Sequence, residues 1–414
     1  MTVELDVLKR LRLYEEPFGS YGVDGTGTLA NFIDLPIIEG SVKYEIGQEE
    51  IDPKLAQQFI EGRALKVAGR RSSSLSFGLP LHSHGVALNG VNTAPTTTTW
   101  GMMRLLKIIF GATNTTATAG ARTVQAGSTT STVNVTAGRG ADFSAGDAIA
   151  VRVGTNATAI EAREVLSTTA NSVTVVEQFS AAPVTGADVL GCVTVYTIED
   201  PQSSAQFVLE GAEADMRLAF YGMQGTPKLT LPVGSDQATI SFDLKGCDWT
   251  RMASGSLAAA SNGFLSPFVP VFNELHYTTV SGSTVARTVV DQSAQSIDPA
   301  LMYAPVRSGA GQQTILRMRR QRQNPAAKAS FTTIFDDSRY EADRLASTTK
   351  RMDLQLGNIP GSTILASCRA VEVVDVKDAV HESGIGGQQI SLEALINSNA
   401  AAALTRSVVA LHFF

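Results

Sequence analysis

The chain has 414 residues, of which 17% are charged, 7% aromatic and 43% hydrophobic, with a formal charge of −6. An acidic balance excludes tight wrapping of nucleic acid, which needs a basic surface. Three scattered cysteines exclude a disulfide framework and any C-x-x-C metal pair.

The first stretch, MTVELDVLKRLRLYEEPFG, carries charge through every apolar run, so it does not read as a secretory leader. No run reaches the ~20 apolar residues of a membrane-crossing helix. IDPKLAQQFIEG, 51–62, predicts a short helix capped by Asp52, with Pro53 at its first position and Gly62 after its end. RRSSSLSFGLPLHSHG, 70–85, predicts a strand. Leu75, Phe77, Leu79 and Leu81 alternate with small polar residues, and Pro80 places the strand near an edge or at its end. TTTTWGMMRLLKIIFG, 96–111, predicts a second helix, with Trp100, Met103, Leu106 and Phe110 on one packed face and Thr97 to Thr99 as caps.

Between Ala112 and Leu190 lysine disappears and Thr, Ala, Ser and Val dominate. The runs STVNVTA, DAIAVRV, AREVLS, SVTVVEQF and ADVLGCVTVYT predict an inserted small all-β module, 112–190, within a discontinuous main domain of 1–111 and 191–414. Asp142, Asp147 and Asp188 match calcium ligands by type but not by spacing.

Further strands follow. PKLTLPV, 227–233, and ATISFDLKG, 238–246, predict a hairpin. Residues 313–337 predict a second strand pair around Asn324–Pro325, and TILASCRAVEVVDVKD, 363–378, a long strand. QQISLEALI, 388–396, alternates cleanly and SVVALHFF, 407–414, closes the chain, both as strands.

Candidate chemistry is sparse. His82 and His84 share a strand face but lack further ligands at metal spacing, and Ser83 beside His84 lacks an orienting group. Asp336 and Asp337 are adjacent, so a strand would point them apart and spoil a catalytic dyad. GIGG at 384–387 lacks the lysine of a phosphate loop. No catalytic, cofactor or metal site is therefore predicted. Arg317, Arg319, Arg320 and Arg322 split across both faces of a strand without aromatic neighbours, which favours ionic contact with an acidic neighbour or the next copy over phosphate binding.

The order of a helix at 52–62, "VAGRRSSSLSFGLPL", the hairpin "PKLTLPVGSDQATISFDLKGCDW", the loop "RQRQNPAAKASFTTIFDD" and the late "GIGGQQISLEALI" resembles bacteriophage tail tube proteins of the long, non-contractile kind. That resemblance covers most of the chain outside 112–190. It implies a mainly β fold: an antiparallel β-sandwich tube domain with a flanking helix or two, here carrying the inserted module on its outer surface. It implies a structural virion protein, made in the host cytoplasm, without enzymatic activity or cofactor. Its partners would be further copies of itself in stacked six-membered rings, together with tape measure, tail tip and terminator proteins. Double-stranded DNA would pass through without binding, and no membrane is involved. A lumen that repels phosphate would be acidic, and Glu199, Asp200, Glu210, Glu213, Asp215, Asp243, Asp248, Asp336 and Asp337 are the candidate lumen or interface carboxylates. The rival readings are a distal tail, baseplate or capsid-decorating protein, which the module's two phenylalanines serve poorly as a binding platform, and a hydrolytic enzyme.

Overall fold

The computed structural model describes residues 8–16, 32–51, 67–94, 100–155, 159–197, 203–211, 217–231, 237–251, 261–262, 273–290, 295–301, 303–307, 315–320, 327–334, 338–380, 384–395 and 403–414. The chain is mainly β and almost wholly antiparallel. The expected helix at 52–62, the caps Thr97 to Thr99 and the loop at Asn324–Pro325 lie outside these residues.

The first elements are β1 Leu8–Glu16, β2 Ile33–Asp34, β3 Lys43–Ile51, β4 Val67–Pro80, helix α1 Gly101–Phe110 and β5 Gly111–Thr115. Next come β6 Thr132–Asn134, β7 Ala148–Arg152, β8 Ile160–Thr168, β9 Ser172–Val175 and β10 Val189–Leu190. They are followed by β11 Val193–Thr197, β12 Ser204–Gly211, β13 Arg217–Leu231, β14 Thr239–Gly246, β15 Asp248–Arg251 and β16 Ser261–Asn262. Then β17 Asn273–Thr279, β18 Val289–Val290, β19 Gln295–Asp298, β20 Tyr303–Arg307, β21 Ile315–Arg320 and β22 Ala327–Ile334. The last are helix α2 Arg339–Leu345, β23 Lys350–Leu356, β24 Ile364–Val380, β25 Gly386–Ala394, helix α3 Ala403–Arg406 and β26 Val409–Phe413.

Two sheet regions share β13. Its first half pairs with β12 and β15, and its second half with β14 and β19. From the second half the ladder continues outward through β14, β4 and β3. In the other direction it runs through β19, β22, β25, β24, β26, β11 and β5. Helix α1 touches β5 and β11 on one side and β1, β12 and β13 on the other. That position explains why its residues other than Lys107 are all buried, beyond the single apolar face the sequence suggests. It ends at Gly111, whose φ of 101° is left-handed and lets its N–H cap the Lys107 carbonyl. One core joins α1 to Leu75, Phe77, Leu79 and Leu81 of the first alternating stretch; each such side chain contributes about 1.5–3 kcal/mol by leaving water.

β4 lies between β3 and β14 and ends at Pro80, the second of the two placements expected for that proline. Other expectations need correction. β21 does not pair with β22. It pairs with β20, while β22 lies between β19 and β25, where Ala327, Ala329 and Phe331 match Ala394, Leu392 and Ile390. Residues 111–115 form main-sheet β5 rather than part of the inserted segment. The run ADVLGCVTVYT is split at Gly191–Cys192 into β10 of the small sheet and β11 of the main one.

Strands β6 to β10 form a separate five-stranded sheet with its own core of Val124, Val133, Phe143, Ile149, Val173 and Phe179 among others. The chain leaves through β5 and returns through β11, which are register partners, Thr115 opposite Val193.

Candidate functional site

The paired histidines are structural. His82 and His84 are both 1% exposed. His84 Nε2 donates to the Phe413 carbonyl (3.2 Å) and its Nδ1 accepts from the Val86 N–H (3.2 Å), which fixes a neutral tautomer. Burial pushes its imidazole down to about 4. Ser83 donates to the Phe414 carbonyl and Trp100 meets both His84 and Phe413 edge-on. Both imidazoles are thus occupied in packing, not poised at a cleft.

The densest chemistry lies where the small sheet covers the main one, a placement no sequence motif signalled. On β17, β23, β24, β26 and β11 the residues Leu275, Tyr277, Leu354, Ile364, Ala366, Leu411 and Val195 face the main core. Strand alternation turns Glu274, His276, Asp353, Arg351, Ser367, Arg369, His412 and Thr194 to the opposite face. That face has a solvent-type composition, yet His276, Arg351, Asp353, Arg369 and His412 are buried.

At one node Glu164 of β8 enters between two arginines. Arg351 Nη2 donates to its Oε2 (2.7 Å) and Arg369 Nε donates to its Oε1 (2.9 Å). Arg351 is also bonded to Asp353, and Arg369 Nη2 donates to the Gly146 carbonyl. Burial raises the Glu164 pKa, but the two guanidinium groups outweigh it and hold the carboxyl at about 2. His412 sits beside them, its Nδ1 2.8 Å from the Thr194 hydroxyl, and burial pushes its imidazole down to about 3. Cys192 Sγ lies 3.9 Å from His412 Nδ1, and His412 Nε2 lies 3.9 Å from Glu164 Oε2. This Cys–His–Glu order invites a nucleophile reading, but the tuning is wrong for one. Burial drives the Cys192 thiol up to about 12, so the thiolate does not form at neutral pH.

At the second node His276 stands between carboxylates from both sheets. Its Nδ1 lies 2.9 Å from Glu177 Oε1 and its Nε2 2.7 Å from Glu274 Oε1. Nδ1 is hydrogen-bonded to Glu177 and Nε2 lies against a second carboxylate oxygen, which favours the doubly protonated imidazolium. Burial lowers its pKa, and the two glutamates overcome this and raise it. Arg287 donates to Glu274 (2.7 Å), Arg163 to Glu161 (3.1 Å), and the Thr288 N–H to Glu177 (2.8 Å). Backbone ties complete the seam: Gln355 holds the β8 edge through Ile160 and Ala162, and Val285 bonds to Val176 and Gln178.

The uncovered polar face extends across β3, β4, β14, β13, β19, β22 and β25. Cross-strand partners form a hydroxyl row, Thr239–Thr230–Ser296–Ser330–Ser391, with Ser296 and Ser330 hydrogen-bonded at 2.8 Å. Charges beside it alternate in sign: Lys43, Lys228, Lys245 and Lys328 are interspersed with Glu45, Asp243, Asp298 and Glu393. At the end of this face, β3 is nine residues long and is paired, among the described residues, with β4 alone.

Of the acidic candidates, Asp243 is exposed on this face. Asp248 is half-buried beside Arg71 (3.7 Å), and Glu210 lies between Arg217 (3.3 Å) and Arg12 (3.9 Å). They are not brought together. Glu199, Asp200, Glu213, Asp215, Asp336 and Asp337 lie outside the described residues, as does Arg322. Arg317, Arg319 and Arg320 are on β21, opposite Val306, Ala304 and Tyr303. Asp147 bonds to Asn114 (2.6 Å) and Asp188 to Asn89, while Asp142 faces Arg122, so the three aspartates hold separate structural contacts. Among the described residues no group of three or more potential ligands could hold a metal ion, and no described helix is long and apolar enough to cross a membrane.

No protein-family model matches the chain, and no curated protein matches it in sequence.

Proposed function

We propose that this chain is a structural subunit of a bacteriophage tail tube, a β-sandwich that assembles edge to edge into rings and stacks into a conduit for DNA. The observation that carries the reading is the long β3 edge beside a broad polar face whose charges alternate in sign. An edge of that length, paired on one side only among the described residues, is a template for the next copy, and ring closure removes it from solution. A face whose lysines are interspersed with carboxylates and hydroxyls offers phosphate no net attraction, so a polyanion slides past it. The sequence suggests a mildly acidic lumen; the described part of this face carries both signs of charge. The seam chemistry supports a structural role too, since its titratable groups are consumed in holding two sheets together.

The reading is tested at the edge. The Leu81 N–H bonds towards β14, and the Gly78 N–H and carbonyl bond towards Ser41 and Ile38. Glu45 and Gly47 therefore bond to β4, while the N–H groups of Ile46 and Gln48 point outward. Proline at both Ile46 and Gln48 removes those outward donors. Light scattering should show the unaltered chain growing in mass with concentration and the double variant remaining a monomer with an unchanged circular dichroism spectrum. Equal assembly of the two would contradict the proposal.

A further inference from the structure

We propose that the five-stranded module is a reversible latch, docked on a polar face of the main sheet through two ionic nodes with opposite protonation requirements, and lifting from that face on either side of a window around neutral pH. The inference does not depend on the tail-tube reading.

Three observations carry it. First, the covered face has the residue types of a solvated surface, so uncovering it exposes arginine, aspartate, serine and histidine in place of a large apolar patch. The apolar part of the contact is small, made of Ala148, Ala150, Ile160, Ala162, Leu190 and Cys192 against Leu365 and Phe414. Second, ion pairs hold a dry seam only while each partner keeps its charge, because an uncompensated buried charge is costly. Third, the attachment runs through β5 and β11, adjacent antiparallel strands that stay paired to each other and provide a hinge.

The two nodes respond in opposite directions. His276 must be charged. It faces Glu177 and Arg163 of the module, Glu274 on its own strand, Asp353 as its register partner on β23, and the nearby Arg287. Its pKa is raised above 6.5, so its contribution is complete below pH 6.5 and is lost as pH rises through the raised value. His412 must be neutral. It faces Glu164 of the module, Arg351 and Asp353 of β23, Arg369 of β24 and Thr194 of β11. Its pKa is depressed to about 3, so its contribution is complete above pH 6.5 and declines as pH falls. A pocket of about 300 Å³ lined by Glu161, Ser180, Glu274, Gln355 and Asn358 lies beside the His276 node and reaches its partner Glu274.

The test is hydrogen exchange by mass spectrometry on the full chain, corrected for the intrinsic pH dependence of exchange. Peptides covering Ile160–Thr168 and Glu177–Ser180 are followed from pH 5 to 10, with Gly386–Ala394 of the main sheet as the internal reference. Protection in the module peptides should fall by up to about tenfold per pH unit between pH 6.5 and the raised His276 value and level off above it, while the reference holds. The variant His276→Gln should flatten the alkaline limb, and His412→Asn the acid limb. Module protection that does not change with pH, a parallel loss in the reference strand, or the same alkaline limb in His276→Gln would each overturn the latch. Should His276→Gln fail to fold, the His276 ring-proton titration in the unaltered chain decides. A midpoint above 6.5 supports the latch and one at or below 6.5 overturns it.

Discussion

Removing the Glu164 carboxylate would strand the Arg351 and Arg369 guanidinium groups in a buried seam. Glu164→Gln is therefore expected to cost about 3–5 kcal/mol in urea unfolding. Glu341→Gln removes a half-exposed partner of Arg344 and should leave the midpoint nearly unchanged. His84 gives a pH signature of its own. Its pKa falls to about 4 on folding, so the stability of keeping it neutral is complete above pH 6.5 and is lost as pH drops towards 4. The thermal midpoint should decline over that range, and less steeply in His84→Asn. These residues show what the sequence conceals. Glu164, Arg351, Arg369 and His412 are far apart along the chain, and each alone looks like a solvated charge. Their convergence depends on register between β8, β23, β24 and β26, and no local pattern encodes it.

At the level of elements, legibility follows how many faces a segment buries. β4, β25 and the β13–β14 hairpin each bury one face, so period-two alternation marks them. The first half of β13, LAFYGMQ, has no such alternation because it is buried on both faces. The β21–β22 misreading has the same root: adjacency in sequence suggests a hairpin, whereas matched apolar positions on β25 decide the pairing of β22. Helix α1 is covered by strands on several sides, which makes it sensitive to truncation. Leu106→Ala should cost about 2–5 kcal/mol in chemical denaturation. Lys107→Ala, which loses a half-exposed pair with Glu15, should cost less than about 1 kcal/mol.

For the whole molecule, the latch implies a main body that keeps its fold when the module is removed. Thr116 and Cys192 already exchange hydrogen bonds, Thr116 N–H to the Cys192 carbonyl and Cys192 N–H to the Thr116 hydroxyl, each 3.0 Å. Replacing residues 117–191 with Asn-Gly would join β5 and β11 by a tight turn. The shortened chain should remain soluble and unfold cooperatively, because the face it uncovers is polar; an insoluble product would count against a detachable module. Assembly is tested by electron microscopy of the purified protein at rising concentration. Rings and hollow tubes of constant bore are expected, with rings built from a fixed number of copies. A particle that remains a single copy at every concentration would contradict the tail-tube reading.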